Sequence, residues 1–148
     1  MAFKFREIFR LSPLGAPKLR AVKEEQKHYH YDWAIVPDEG ARFENLVACH
    51  LLKWCQFQED VRGIDIELRY FRDVTGREVD FVVTVDKKPI IAIEARYSDS
   101  HVSPALKYFK SRFPECEAVQ LVAREDREFV SAEGIEVMWR PRYLGTLV

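Results

Sequence analysis

The clearest periodic segment of the chain spans residues 41–57, where apolar side chains recur at the spacing of an α-helix. The main apolar row consists of Phe43, Val47, Leu51 and Trp54. A second row begins with Glu44 and continues with Ala48, Leu52 and Cys55. Glu44 is therefore a carboxylate at the head of an otherwise apolar row. A carboxylate in a first helical turn also complements the helix dipole, and the pattern leaves both interpretations of Glu44 open.

Three segments with strand-like patterns follow the predicted helix. Residues 64–72 alternate between apolar and polar side chains, and residues 77–85 return after a DVTG turn. Residues 90–97 follow a second tight turn at 86–88 and are apolar on both faces, as expected of a central strand. The pattern predicts a three-strand antiparallel meander.

A helix and two further strands complete the predicted fold. Ser103 and Pro104 are suited to the cap and first position of a helix that runs to Phe113. The strand at 117–123 follows this helix crossover, so we expect it to lie parallel to 90–97. Residues 135–139 alternate and predict a last strand. The sequence therefore predicts an α/β fold, a mixed sheet flanked by helices.

The N-terminal part is less regular. Prolines and glycine break residues 1–26, in which we predict a short helical turn at 5–11 and then an extended arm. Residues 27–33 alternate and predict a strand. His28 and His30 share one face of that strand, as a metal pair or, more commonly, as ordinary strand surface. We expect a basic arm or connector over 1–26 and a single domain over 27–148.

Composition narrows the class of protein. The chain has 148 residues, 47% hydrophobic and 32% charged, and a net charge of −1. These values are typical of a folded domain without a membrane span or a global attraction to nucleic acid. Three cysteines without C-x-x-C spacing favour neither a disulfide framework nor a zinc site, and suggest a cytoplasmic protein. The first 31 residues nevertheless carry seven Lys/Arg against three Asp/Glu, a charge suited to phosphate contacts or to a solvated terminus.

Two carboxylates stand in strands that are otherwise apolar. Asp80 lies within EVDFVV and Glu94 directly follows IIAI. Both are seven residues from Lys87, so we expect them to be neighbours across the two strands. Two such carboxylates repel each other, and a magnesium or manganese ion relieves the repulsion. The alternative is an ion-pair cluster in which Arg96 neutralises both carboxylates.

The spacing of Asp80, thirteen residues, and then Glu94-Ala95-Arg96 resembles the D…(D/E)-x-K signature of PD-(D/E)XK nuclease-like domains. Further blocks occur in order: YDWAIV, GARFENLVACHLLKW, YFRDVTGREVDFVV, IIAIEAR and LKYFKSRFP. Over residues 27–123 they resemble the domain of unknown function found C-terminal to the ATPase module in a family of archaeal and bacterial AAA-type ATPases.

The resemblance implies a restriction-endonuclease-like fold and magnesium-dependent or manganese-dependent hydrolysis of DNA. It implies that Asp80 and Glu94 bind the metal with the Ala95 carbonyl, that Glu44 assists, and that Arg96 completes the catalytic set. It also implies a partner ATPase domain. Lys107 and Lys110 point away from the apolar stripe of their helix, which makes them candidate DNA contacts or simply solvated side chains.

The sequence departs from the family pattern in two ways. Arg96 stands where the signature has lysine, and an arginine stays protonated, so it is a poor substitute if the lysine must deprotonate water. The chain also has no G-x-x-x-x-G-K-[ST] segment, so we expect a C-terminal piece of an ATPase or a stand-alone relative. The alternative function is therefore a non-catalytic module that binds nucleic acid or protein.

Overall fold

The computed structural model describes residues 8–15, 25–98, 101–124 and 127–147. Within these ranges, eight strands form the sheets: β1 Ile8–Leu11, β2 Lys27–His30, β3 Ile66–Arg72, β4 Glu78–Val85, β5 Lys88–Arg96, β6 Glu117–Val122, β7 Phe129–Val130 and β8 Glu136–Trp139. The same ranges contain three α-helices: α1 Glu39–Arg62, α2 Pro104–Arg112 and α3 Arg140–Thr146. A 3-10 turn covers Trp33–Ile35. No helix in these described ranges is long and apolar enough to cross a membrane.

Among the described residues, the main sheet has six strands in the order β3-β4-β5-β6-β8-β7. Strands β3, β4 and β5 form the predicted antiparallel meander, and β6 lies parallel to β5 after the α2 crossover. Strand β8 is parallel to β6, and the short β7 pairs with β8 at the edge. The prediction of an α/β fold with a mixed sheet flanked by helices is confirmed.

Helices cover both faces of the sheet, and each face has its own core. Phe81, Val83 and Ile93 pack with residues of α1. Val82 and Ala92 pack instead with Leu106 and Phe109 of α2. Side chains alternate between the two faces of a strand, which explains why neighbouring residues of β4 belong to different cores. Strands β4 and β5 are therefore apolar on both faces, as the sequence predicted for β5.

Capping residues define both ends of α1 and the start of α2. The side chain of Asp38 accepts a hydrogen bond from the backbone N–H of Ala41, and Gly63 ends α1 in the left-handed conformation with φ of 64°. Ser103 caps α2 with Pro104 at its start, as predicted. Helix α1 is longer than the predicted 41–57 because Asp38 and Gly63, rather than the limits of the apolar stripe, determine where it begins and ends.

The predicted helical turn at 5–11 was wrong in the part that the structure describes. Residues 8–11 form a strand rather than a helical turn, with Phe9 and Leu11 buried and Ile8 and Arg10 exposed. This strand pairs antiparallel with β2 in a separate two-stranded sheet. Residues 1–7 and 16–24, which make up most of the predicted arm, lie outside the described residues. Part of the predicted arm therefore contributes to the core through Phe9 and Leu11.

Two irregularities adjust the register of the meander. On β4, Asp80 and Phe81 together stand opposite Tyr70, because Arg69 pairs with Val82 and Phe71 with Val79. On β5, Ile90 is an extra residue, since Val83 pairs with Ile91 and Thr84 with Pro89. The turn that joins the strands has only two residues, Asp86 and Lys87, both with positive φ.

These features still place the two carboxylates together. The last β4–β5 pair before the strands diverge is Phe81 with Ile93, so Asp80 and Glu94 come next. The predicted pairing assumed a symmetric turn centred on Lys87. The turn is one residue shorter than assumed, and the extra Ile90 restores the same pairing.

Candidate functional site

Asp80 and Glu94 meet where β4 and β5 diverge. The backbone N–H of Ala95 donates to Asp80 Oδ2 at 2.9 Å, and the backbone N–H of Asp80 donates to Glu94 Oε2 at 3.2 Å. Only 9% of Asp80 and 6% of Glu94 is exposed. Each carboxylate thus satisfies a backbone donor on or beside the other, and the pair closes the end of the β4–β5 ladder.

The environment of this pair disfavours two negative charges. Burial, and then repulsion from Glu44, raises the pKa of Asp80 to about 7. Burial, and then repulsion from Asp80, raises the pKa of Glu94 to about 8, although the charge of Arg96 opposes this. Near neutral pH the pair therefore retains protons that ordinary carboxylates have lost, and an added cation would displace them.

Lys27 of β2 is the functional candidate that sequence reasoning missed. Its Nζ lies 2.5 Å from Glu78 Oε1, 3.3 Å from Glu44 Oε1 and 3.6 Å from Asp80 Oδ1. Burial lowers the pKa of Lys27, but the three carboxylates outweigh it and the pKa is raised above its ordinary value. The ammonium therefore remains charged at neutral pH and lies among carboxylates from three different positions in the chain.

Tyr29 fixes the helix carboxylate in this cluster. Its hydroxyl donates to Glu44 Oε1 at 2.7 Å, and burial followed by the charge of Glu44 raises the pKa of Tyr29. The hydroxyl therefore stays protonated and continues to donate. Lys27 and Tyr29 share one face of β2, the face opposite His28. In the sequence, this shared face groups Lys27 with Tyr29. It does not connect either residue to Glu44 or Asp80.

Arg96 contacts only part of the predicted set. Its Nη2 lies 3.1 Å from Glu94 Oε1, while Asp80 is paired with Lys27. Arg96 therefore does not neutralise both carboxylates, as one of the two predicted alternatives required. Glu94 pairs with Arg96, and Asp80 pairs with Lys27. The Arg96 side chain is 40% exposed, yet its Nε is buried and lacks a hydrogen-bond partner in the described part of the chain.

The predicted metal ligands are brought near one another but do not form a closed set. Asp80 and Glu94 are adjacent, whereas Glu44 reaches Asp80 through the ammonium of Lys27. Within residues 8–15, 25–98, 101–124 and 127–147, no three His, Cys, Asp or Glu side chains converge as ligands of one ion. The assignment of Glu44, Asp80 and Glu94 as metal ligands therefore stays a prediction. The ammonium of Lys27 lies between Glu44 and Asp80.

The predicted DNA contacts on α2 have partners within the protein. Lys110 Nζ donates to the carbonyls of Pro114 and Cys116 at 2.9 and 2.7 Å, which closes the C-terminal end of the helix. Lys107 Nζ lies 3.3 Å from Glu133 Oε1. To bind a phosphate, both ammonium groups would have to give up these contacts. Their role in nucleic-acid binding therefore also stays a prediction.

Asn45 of α1 positions the strand that carries Lys27. Its Oδ1 accepts from the His30 N–H at 2.9 Å, and its Nδ2 donates to the His30 carbonyl at 2.6 Å. The residue is buried. The Asn45 amide thus gives His30, the last residue of β2, the donor and the acceptor that a further strand would otherwise supply. It also holds β2 against α1.

We expect Asn45→Ala to lower the free energy of unfolding by about 2 kcal/mol, because it leaves the partly buried backbone N–H and carbonyl of His30 without partners. Urea denaturation measures the change. Asn45→Asp keeps the acceptor and loses the amide donor, so its expected cost is smaller at a pH where the introduced carboxyl group is protonated than where it is charged. Gln56→Ala on the exposed side of α1 is the control. Equal stability of Asn45→Ala and the control would contradict the anchoring role.

Comparison with known proteins gives a match to a solved structure and a match to a family model. In one solved structure, a refined half-complex from the tetradecameric assembly of Thermococcus gammatolerans McrB AAA+ hexamers with bound McrC, the similar chain is 14% identical with a TM-score of 0.45. The match covers 69% of the present chain and 27% of that chain, so the present chain spans about a quarter of its length. No curated protein matches.

A family model matches residues 39–143. This range contains Glu44, Glu78, Asp80, Glu94 and Arg96, whereas β2 with Lys27 and Tyr29 precedes it. The match covers well over half of the sequence, and the chain belongs to the family of the domain of unknown function DUF4143.

Proposed function

We propose that this domain is a nuclease-like module that hydrolyses DNA phosphodiester bonds with a magnesium or manganese ion bound by Asp80 and Glu94. The observation that carries the proposal is the adjacent, buried pair of carboxylates whose pKa values are raised. Such a pair stores electrostatic repulsion that a divalent cation would relieve. Residues with strongly shifted pKa values cluster at functional sites.

The chemistry of the two adjacent carboxylates suits a hard cation. Asp80 and Glu94 offer carboxylate oxygens, the ligands that magnesium and manganese prefer. Lys27 already places one positive charge between Glu44 and Asp80, which supports the idea that a cation is favoured in this cluster. When bound, the divalent ion supplies an acidic water and neutralises charge on a phosphate.

The chain's own cations fit a phosphate substrate. Lys27 remains protonated because Glu44, Glu78 and Asp80 stabilise its charge, and it would offer an N–H donor to a phosphate oxygen by giving up one of these three carboxylate contacts. Arg96 is exposed enough to reach solvent while it touches Glu94, and its planar group suits bidentate contact with phosphate. Lys27 thus supplies a lysine in a site where Arg96 replaces the signature lysine.

Calorimetric titration of manganese into the wild-type protein, Glu94→Ala and Asp60→Asn tests the proposal. We expect heat of binding in the wild type and in Asp60→Asn, which removes an exposed carboxylate of α1 and is the control. We expect none in Glu94→Ala. A plasmid-nicking assay on the same proteins measures hydrolysis, and we expect nicking only where manganese binds. Absence of both binding and nicking in the wild type would overturn the proposal.

The second candidate function is a non-catalytic module of the same fold that binds DNA or a partner ATPase domain. It is favoured by the ion pairs of Lys27 and Arg96, which already balance much of the negative charge of the cluster. It is also favoured by the arginine at position 96. Manganese binding without nicking would support this second function.

A further inference from the structure

Glu78 of β4 is not a ligand in the proposed metal site, yet it makes the shortest of the three ion pairs of Lys27. Its Oε1 lies 2.5 Å from Lys27 Nζ, whereas Asp80 Oδ1 lies 3.6 Å from the same atom. The second distance is longer than an ordinary hydrogen bond. Glu78 therefore holds the ammonium more closely than Asp80 does, although both carboxylates belong to the same strand.

Arg72 of β3 fixes the carboxylate of Glu78. The two residues are opposite each other in the β3–β4 ladder, and Arg72 donates to Glu78 Oε2 from Nε at 2.9 Å and from Nη2 at 2.7 Å. Two donors from one planar group restrict the rotation of the carboxylate. Glu78 thus divides its oxygens between two cations, Oε2 for Arg72 and Oε1 for Lys27.

Two further groups restrict the ammonium of Lys27. Glu44 Oε1 lies 3.3 Å from Nζ and is itself fixed by the Tyr29 hydroxyl, which donates to it at 2.7 Å. The centre of the buried Tyr70 ring lies 5.4 Å from Nζ, within the range of a cation–π contact. The ammonium is therefore held mainly by groups other than Asp80, which is the most distant of its three carboxylate partners.

This placement matters for the oxygen that a metal ion would need. Asp80 Oδ2 accepts the backbone N–H of Ala95 at 2.9 Å, so Oδ1 is the oxygen that remains for an ion. An ammonium in direct hydrogen-bond contact with Oδ1 would neutralise that oxygen and obstruct it. At 3.6 Å the ammonium of Lys27 leaves the oxygen more weakly engaged.

We propose that Glu78 is a positioning residue of the metal site, which holds the ammonium of Lys27 away from Asp80 Oδ1 and so keeps that oxygen available to a divalent ion. The inference rests on the proposed function and deepens it, because it explains how a site with its own lysine accepts a metal ion. Without Glu78, Lys27 moves onto Asp80 and competes with the ion directly. The competing explanation is that Glu78 is simply a nearby negative charge that attracts the ion.

Calorimetric titration of manganese into the wild type, Glu78→Met, Lys27→Met and the double variant separates these two roles. A nearby charge attracts the ion equally with or without Lys27, whereas a positioning residue acts only through it. We therefore expect Glu78→Met to weaken binding about tenfold more in the presence of Lys27 than in the Lys27→Met background, a coupling usual for residues in contact. Equal losses in the two backgrounds would overturn the inference.

Two more variants calibrate the titration. Glu78→Gln keeps one acceptor oxygen for two cations, so its loss of affinity should lie between those of the wild type and Glu78→Met. Glu59→Met removes an exposed carboxylate of α1 and is the matched control, which should bind manganese like the wild type. A loss in Glu59→Met as large as that in Glu78→Met would also overturn the inference.

Crystal structures of metal-free Glu78→Met and Glu59→Met measure the movement of Lys27 itself. In Glu78→Met we expect the distance between Lys27 Nζ and Asp80 Oδ1 to shorten from 3.6 Å to about 2.8 Å, and in the control to stay unchanged. An ammonium that stays in place in Glu78→Met would overturn the inference alone. Absence of manganese binding in the wild type would overturn the proposed function, and with it the role of Glu78, even where the ammonium moves.

Discussion

Lys27→Met is expected to lower the free energy of unfolding by about 3 kcal/mol at pH 8 in the absence of metal, the usual cost of removing one partner of a buried ion pair. The substitution keeps most of the apolar stem but removes the charge that lies between Glu44, Glu78 and Asp80. Three carboxylates would then repel one another in a partly buried space. The loss should shrink near pH 5, where Asp80 becomes protonated and one charge disappears. Chemical denaturation at the two pH values measures both effects.

The same variant separates a metal site from a purely structural cluster. Lys88→Met removes an exposed strand lysine and is the matched control, with little expected change at either pH. If the cluster accepts a divalent ion, manganese should raise the free energy of unfolding of Lys27→Met more than that of the wild type. In the variant, no ammonium competes with the ion for the carboxylates. A loss that manganese leaves untouched would support the ion-pair cluster as structural. A loss no larger than that of Lys88→Met would contradict the role given to Lys27.

The free energy of unfolding of the metal-free protein is expected to fall by several kcal/mol as the pH rises from about 5 to about 8, because of the carboxylate pair. The pKa values of Asp80 and Glu94 are raised to about 7 and about 8 in the folded chain. Between the ordinary carboxyl pKa and these values the folded chain binds more protons than the unfolded chain. Stability must therefore decrease with pH across this window. Urea denaturation at several pH values measures the slope.

Asp80→Asn should flatten this slope, because the amide carries no charge and its oxygen can still accept from the Ala95 N–H. The variant is expected to be more stable than the wild type at pH 8 and less responsive to manganese. Asp60→Asn, which neutralises an exposed carboxylate, should keep the wild-type slope. A slope that is the same in Asp80→Asn and the wild type would show that the buried carboxylate does not retain its proton.

The pairing of Asp80 with Glu94 was predictable because it depends on local patterns. Alternation defines the strands, the Asp86–Lys87 region defines the turn, and neighbouring strands of a meander pair directly. The predicted turn and the assumed regular ladder were each inaccurate by one residue, in opposite directions. The correct pairing thus came from two errors that cancelled at Ile90.

Lys27 could not be assigned from the sequence because its position depends on distant contacts. It belongs to a strand that pairs with residues 8–11, and it reaches carboxylates on α1 and β4. No periodicity links segments so far apart. The four residues of β1 are also too few to distinguish a strand from a helical turn, and burial of Phe9 and Leu11 decides in favour of the strand. The partners of Lys110, two carbonyls beyond the helix, arise in the same way from the folded chain.

The extra residue Ile90 gives the β4–β5 hairpin two competing alignments. In a flat alignment Val83 would pair with Ile90, every later residue of β5 would move by one position, and Asp80 would stand opposite Ile93. That slip would turn the apolar side chains of β5 toward the wrong cores. It would also separate Asp80 and Glu94 from the backbone donors they now satisfy. The two hydrogen bonds from the backbone to Asp80 and Glu94 are therefore specific to the observed alignment, and they favour it over the slipped one.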